Sequence, residues 1–260
     1  IFYALIVLLI SIIIPFLTKG SIGLILATMI AYAVCAMALF KYSYSKIPRI
    51  NIENIKKIFY EFKNFPLFDL PSAFLTQLSN RLPIILLSNY FPINTIGYYS
   101  LSQRMIDFPT SFVTSAISDT FKQKAADDYN KHGNCISVFY ETRKLLFFIA
   151  IIPYIIIQFF APQLFQFIFG NNWLVAGEYS QILAFMFFLR FILGPLSYTF
   201  YIRNKMKFNM IGQFIKFIIS IFALLIGVYF ANIKLGLMLF AFGNCIIYLF
   251  YYYYSRKFAQ

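Results

Sequence analysis

Residues 145–160 read LLFFIAIIPYIIIQFF, sixteen positions in which Gln158 is the one strongly polar side chain. With its flanks this apolar stretch covers 142–165, which at about 1.5 Å per residue is long enough to cross a hydrocarbon core of about 30 Å. So uniform a surface is what a helix facing lipid presents. Working outward, further apolar runs lie at 2–17, 21–40, 65–91, 94–120, 176–200, 209–231 and 235–254. The chain is therefore predicted to be an all-α membrane protein, a polytopic bundle of about eight spans. Composition agrees: 61% of residues are hydrophobic, 12% are charged and the mean hydropathy is +0.74. A water-soluble domain carries about twice that charged fraction. The runs at 65–91 and 94–120 are the least apolar, and that at 2–17 is the shortest.

The connections alternate in charge. Segments 41–64, 121–144, 201–208 and the C-terminus hold 16 Lys and Arg residues, whereas the connections on the other side hold only Lys19 and Lys234. By the positive-inside rule the basic connections and the tail 255–260 are predicted to be cytoplasmic. The net charge of +13 is thus spread over loops between apolar runs, which argues against a nucleic-acid-binding face. In 41–64, Ile50, Ile52, Ile55, Ile58, Phe59 and Phe62 alternate with lysines, as in an amphipathic linker helix at an anionic membrane surface. Cys35, Cys135 and Cys245 are far apart and signal neither a disulfide framework nor a metal site. The chain opens at Ile1 inside an apolar run, so it is read as lacking an N-terminal part. Aromatic-then-basic exits at Phe40–Lys46 and Tyr251–Lys257 lie about 210 residues apart in the same orientation, the interval two parallel six-helix repeats would give.

Polar residues inside the spans fall on stripes. In the fourth span Ser100, Gln103, Arg104, Asp107, Ser111, Thr114 and Ser118 recur at steps of three and four, within an arc of about 100°. The third span carries Asp69, Ser72, Thr76, Ser79 and Asn80, with Gln77, Arg81 and Ser88 beside them. The seventh carries Asn209, Gln213, Lys216, Ser220 and Gly227, and the sixth Arg190, Gly194 and Ser197. Hydrocarbon does not solvate such faces, so they are expected to meet protein or a water-filled cavity. Arg81, Arg104, Arg190 and Lys216 outnumber Asp69 and Asp107 there, and surplus positive charge suits an anionic solute. Bracing roles weigh against this reading: Arg104 is placed to pair with Asp107 one turn away, and Lys216 to snorkel to the cytoplasmic surface. His132 has no partner at metal-ligand spacing, no phosphate-binding loop is present, and no cofactor is implied.

The chain resembles the Wzx-like polysaccharide (O-antigen) flippases of the multidrug, oligosaccharidyl-lipid and polysaccharide exporter superfamily. The resemblance rests on Leu82-Pro83-Ile84-Ile85-Leu86-Leu87-Ser88 followed by Ile96-Gly97-Tyr98-Tyr99-Ser100-Leu101-Ser102, then Pro109, Ser115-Ala116-Ile117 and Phe121-Lys122-Gln123-Lys124-Ala125. Phe169-Gly170-Asn171-Asn172-Trp173, Ala176-Gly177-Glu178-Tyr179, Ile182-Leu183-Ala184 and Pro195-Leu196-Ser197 continue it. It implies a transporter and not an enzyme, in the bacterial cytoplasmic (inner) membrane, moving an undecaprenyl-pyrophosphate-linked oligosaccharide by alternating access for surface polysaccharide or lipopolysaccharide biosynthesis. Residues 1–40 would then be the last two helices of a truncated N-terminal lobe, 41–64 a cytoplasmic linker and 65–254 the second six-helix lobe. Four further spans are expected upstream. Arg81, Arg104, Arg190 and Lys216 become the cavity cations, with Asp69, Gln77, Asn80, Gln103, Asp107 and Gln213 as polar partners. The partners implied are a lipid-linked anionic glycan, the lipid bilayer and a coupling ion, H+ or Na+. Three alternatives stand beside this: a drug or small-cation exporter of the same superfamily, which favours an acidic cavity, a membrane-embedded glycan-processing enzyme, which needs a larger outer loop, and a structural membrane scaffold, against which the polar stripes count.

Overall fold

The computed structural model describes residues 21–44 and 52–260, so the apolar run at 2–17 lies outside the described residues. The chain divides into two compact units, residues 1–61 and 62–260. In the first, α1 (Ser21–Tyr44) is 24 residues long. Met29, Tyr32, Met37 and Phe40 stand exposed on it, as they would against lipid. Helix α2 (Ile52–Phe62) begins in this unit, and its Lys56, Lys57 and Glu61 are exposed beside the apolar Ile58 and Phe59.

The described residues of the second unit form helices joined by short turns, with no strand among them. A π-turn at Phe65–Asp69 runs into α3 (Leu70–Tyr90), and α4 (Ile93–His132), α5 (Ile136–Phe169) and α6 (Leu174–Leu196) follow. The short α7 (Thr199–Ile202) leads to α8 (Met206–Tyr229) and α9 (Ile233–Ala259). Local chemistry sets the breaks. Gly133 ends α4 at φ +74°, a left-handed conformation glycine adopts without Cβ strain, and its N–H donates to the Tyr129 carbonyl at 2.8 Å. The Asn232 side chain caps α9 by accepting from the Leu235 N–H at 3.1 Å. Pro109 lies inside α4, where a proline leaves the carbonyl one turn back unpaired, and the Thr110 hydroxyl donates to the neighbouring Ile106 carbonyl at 2.7 Å.

Among the described residues four helices are long and apolar enough to cross a membrane: α5, the stretch Asn171–Ile202 that contains α6, α8 and α9. Helices α3 and α4 fall short because of their polar stripes. At 40 residues α4 is about 60 Å long, twice the hydrocarbon thickness, so a large part of it extends past the bilayer. Helix α6 is central, packed on α4, α5 and α9, while α3 packs on α8. Of the most apolar stretch of each helix, 56% is buried around α6 but only 17% on α5. On α5, Phe147 and Ile155 are each 44% exposed, so the apolar run at 145–160 faces outward to lipid. The protein is a polytopic all-α membrane bundle.

Three of the basic connections meet at one end of this unit. The Cys135 N–H donates to the Ala259 carbonyl at 2.8 Å. Arg203 donates from Nε to the Phe258 carbonyl and from Nη1 to the Tyr129 hydroxyl, both at 3.2 Å. Cys135 is fully buried in this knot, and burial, with the Asp128 carboxylate adding to it, pushes its thiol up to about 11. Its thiolate fraction at neutral pH is therefore about a hundredfold below that of an ordinary cysteine. Native protein is expected to resist maleimide at Cys135 at pH 7, labelling faster as pH rises toward 11. Mass spectrometry of labelled peptides checks this, with urea-unfolded protein as the reference for full reactivity. Rapid labelling at pH 7 in the folded state would show that this end of the bundle opens.

Candidate functional site

Helices α3 and α4 are joined by the short turn at Phe91-Pro92, and a polar stripe of each borders a shared space. A cavity of about 360 Å³ lies between them. It is lined by Gln77, Asn80, Arg81 and Ile84 from α3 and by Ser100, Gln103, Arg104 and Asp107 from α4. On each helix these residues follow the steps i, i+3, i+4 and i+7, so a single stripe builds each wall. Each wall also carries an amide followed directly by an arginine, Asn80-Arg81 and Gln103-Arg104.

The ion pairs are not those the spacing suggested. Asp107 forms an ion pair with Arg190 Nη1 at 3.2 Å, across the packing of α4 on α6, and not with Arg104 on its own helix. The Arg190 guanidinium also lies 5.7 Å from the Phe187 ring centroid, which helps to aim it at the carboxylate. Arg81 and Arg104 are both exposed and form no ion pair among the described residues. The cavity thus keeps two uncompensated guanidinium groups, while its one carboxylate is already committed.

A small cavity of about 20 Å³ continues inward past Asn80 and Gln103, which line both spaces. Tyr99, Arg190, Lys216, Asn244 and Tyr248 complete its polar lining. Lys216 does not snorkel to the surface. It is 7% exposed, with Nζ 3.4 Å from the Tyr248 hydroxyl and 5.5 Å from that ring's centroid. The reason is its position ten residues into α8, about 15 Å from the helix end and beyond the reach of a lysine side chain. Asn244 donates to Ser220 Oγ at 3.3 Å and to the Phe240 carbonyl at 2.8 Å. Tyr99, Asn244 and Tyr248 escaped the residue reading. A lone amide in the apolar run of α9 was the signal for Asn244, but nothing in the spacing of the tyrosines sets Tyr99 and Tyr248 apart from the other 18 in the chain.

The structure therefore gathers Gln77, Asn80, Arg81, Gln103, Arg104 and Asp107 around one cavity and sets Arg190 and Lys216 behind it. The other two residues singled out lie elsewhere. Asp69 accepts from the Tyr201 hydroxyl and borders a separate cavity of about 280 Å³ with Ser118, Lys122, Ser197 and Tyr198. That corner is braced by Asn209, which donates to Ser72 Oγ at 3.0 Å, and by Tyr251, which donates to the Asn209 carbonyl at 2.9 Å. Gln213 lines neither cavity of the arginine site, and its Oε1 is buried without a hydrogen-bond partner among the described residues.

An all-α bundle with membrane-length helices defines a multi-pass membrane protein, and its cationic cavity lies between α3 and α4. Residues 1–178 match the family described as polysaccharide biosynthesis protein, and the chain belongs to that family. All eight residues lining the larger cavity fall within the matched stretch, whereas Arg190 and Lys216 lie beyond it. No curated protein and no solved structure matches the chain. Membership ties the protein to the synthesis or export of polysaccharide at a bacterial membrane.

Proposed function

We propose that the protein is a flippase that carries an undecaprenyl-pyrophosphate-linked oligosaccharide across the bacterial cytoplasmic membrane, a transporter and not an enzyme. The observation that carries this reading is the pair Arg81 and Arg104, open to the cavity between α3 and α4 with no carboxylate paired to either among the described residues. Two guanidinium groups offer forked donors that match phosphate oxygens, and the amides Gln77, Asn80 and Gln103 offer donors and acceptors to sugar hydroxyls. Asp107 and Arg190 neutralise each other beside them, so an arriving anion meets donors without meeting a free carboxylate. In this reading 65–254 is the second six-helix lobe, 41–64 a cytoplasmic linker and 255–260 a cytoplasmic tail. The basic connections that meet at one end support that orientation by the positive-inside rule.

The complete gene, expressed in a strain that lacks its own oligosaccharide flippase, is expected to restore surface glycan and to clear lipid-linked oligosaccharide from the inner leaflet. Surface glycan per unit of membrane-inserted protein is the readout. Rescue of a strain lacking a glycan polymerase or ligase, with no rescue of the flippase-deficient one, would replace transport by enzymatic processing.

A further inference from the structure

A second pair of arginines lies at the basic end of the bundle, on α5 and α9. Tyr140, in the second turn of α5, carries two guanidinium groups on one ring: Arg143 Cζ lies 4.9 Å and Arg256 Cζ 5.8 Å from its centroid. Arg143 is held further by Tyr252, whose hydroxyl accepts from Nη1 and whose ring centroid is 5.7 Å from Cζ. Neither arginine forms an ion pair among the described residues, and the Arg256 side chain makes no hydrogen bond to any of them. Lys144 and Lys257 stand exposed next to them in sequence, and the nearby Glu141 is exposed and unpaired with either. Two like charges fixed on one ring repel. The aromatic faces offset part of that cost, and an anion with several acceptor oxygens between the guanidinium groups would offset the rest.

The level of the site in the membrane identifies the anion. Arg143 precedes the apolar run of α5, and one turn further in on the same face Phe147 is 44% exposed. On α9 the exposed Tyr253 and Leu249 lie one and two turns inward from Arg256. The guanidinium groups therefore sit where exposed apolar surface begins, the depth of lipid headgroups, with apolar side chains below them along which acyl chains can lie. Basic pockets between helices at the positively charged face of a membrane protein suit anionic headgroups.

We propose that Arg143 and Arg256, set on Tyr140, bind the phosphate of an anionic phospholipid of the surrounding bilayer. The site stands independently of the transport reading, since it needs only a membrane. The test uses full-length purified protein and native mass spectrometry of retained lipid, with phosphatidylglycerol and phosphatidylcholine of matched chains, and inorganic phosphate as the soluble probe. Each arginine near an anionic surface contributes about a fivefold preference, so Arg143→Gln with Arg256→Gln is expected to lower phosphatidylglycerol retention about 25-fold. Arg256→Gln alone, at an exposed position, is expected to lower it about fivefold without disturbing the fold. Equal retention by wild type and the double variant, or equal retention of the two lipids by wild type, would overturn the site. Displacement of phosphatidylglycerol by inorganic phosphate at equal concentration would assign it to a soluble anion instead.

Discussion

Replacing both Arg81 and Arg104 by alanine is expected to reduce glycan export in the complementation strain by more than about 100-fold, with membrane-inserted protein within about twofold of wild type. The magnitude follows from about 1.5–3 kcal/mol for each hydrogen-bonded contact to a charged group, or roughly 10- to 100-fold per arginine removed. The expected persistence of the protein follows from the structure. Both side chains are exposed, and among the described residues neither neutralises a carboxylate whose charge would be stranded by its loss. Lysine at 104 keeps the charge but loses the planar fork, so export should fall in the order wild type, Arg104→Lys, Arg104→Ala. Normal export by a well-inserted double alanine variant would remove the arginines from the binding site and leave the flippase proposal without its main support.

Gly177→Ala is expected to lower the amount of folded protein several-fold, whereas Gly97→Ala leaves it unchanged or raises it. A Cβ at 177 would lie 2.4 Å from Pro162 Cα and 2.6 Å from the Ala161 carbonyl oxygen, both backbone atoms of the facing α5. Backbone does not swing aside as a side chain does, so α5 and α6 must separate along their crossing. Overpacking of this kind costs about 1–3 kcal/mol, against a gain of about 1 kcal/mol for alanine over glycine in a helix. At 97, in the second turn of α4, an added Cβ meets nothing within 4 Å, so only the helix gain remains. Fluorescence-detected size-exclusion chromatography of membrane extracts compares the two. Equal folded yield from both variants would show that the α5–α6 crossing is looser than its geometry indicates.

The stripe on α4 shows how far residue spacing reached. Steps of three and four put Ser100, Gln103, Arg104 and Asp107 on one wall of a cavity, and the same rule put Gln77, Asn80 and Arg81 on the facing one. Both follow from helical periodicity and from the cost of turning polar side chains to hydrocarbon. The rule failed for Asp69 and Gln213. It states which face of a helix is polar, not which neighbour that face meets, and Asp69 turns to Tyr201 from a connection 132 residues away.

The order and approximate centres of the described helices, the lipid-facing character of α5 and the surplus of basic residues on the polar stripes follow from the chain read in order, whereas α4 and α5 run well past their apolar stretches, to 40 and 34 residues. A span of hydrocarbon demands the former of any sequence that crosses it. The pairing of charges was decided only when the helices packed. Arg104 lies one turn from Asp107 along α4, yet Arg190, 83 residues away, takes the carboxylate because α6 brings its guanidinium to 3.2 Å. Lys216 keeps its ammonium inside because Tyr248 of α9 stands beside it, 5.5 Å from ring centroid to Nζ. Charges a few residues apart are neighbours along a helix, but their energies depend on distance and burial in three dimensions, and those are set by which helices touch.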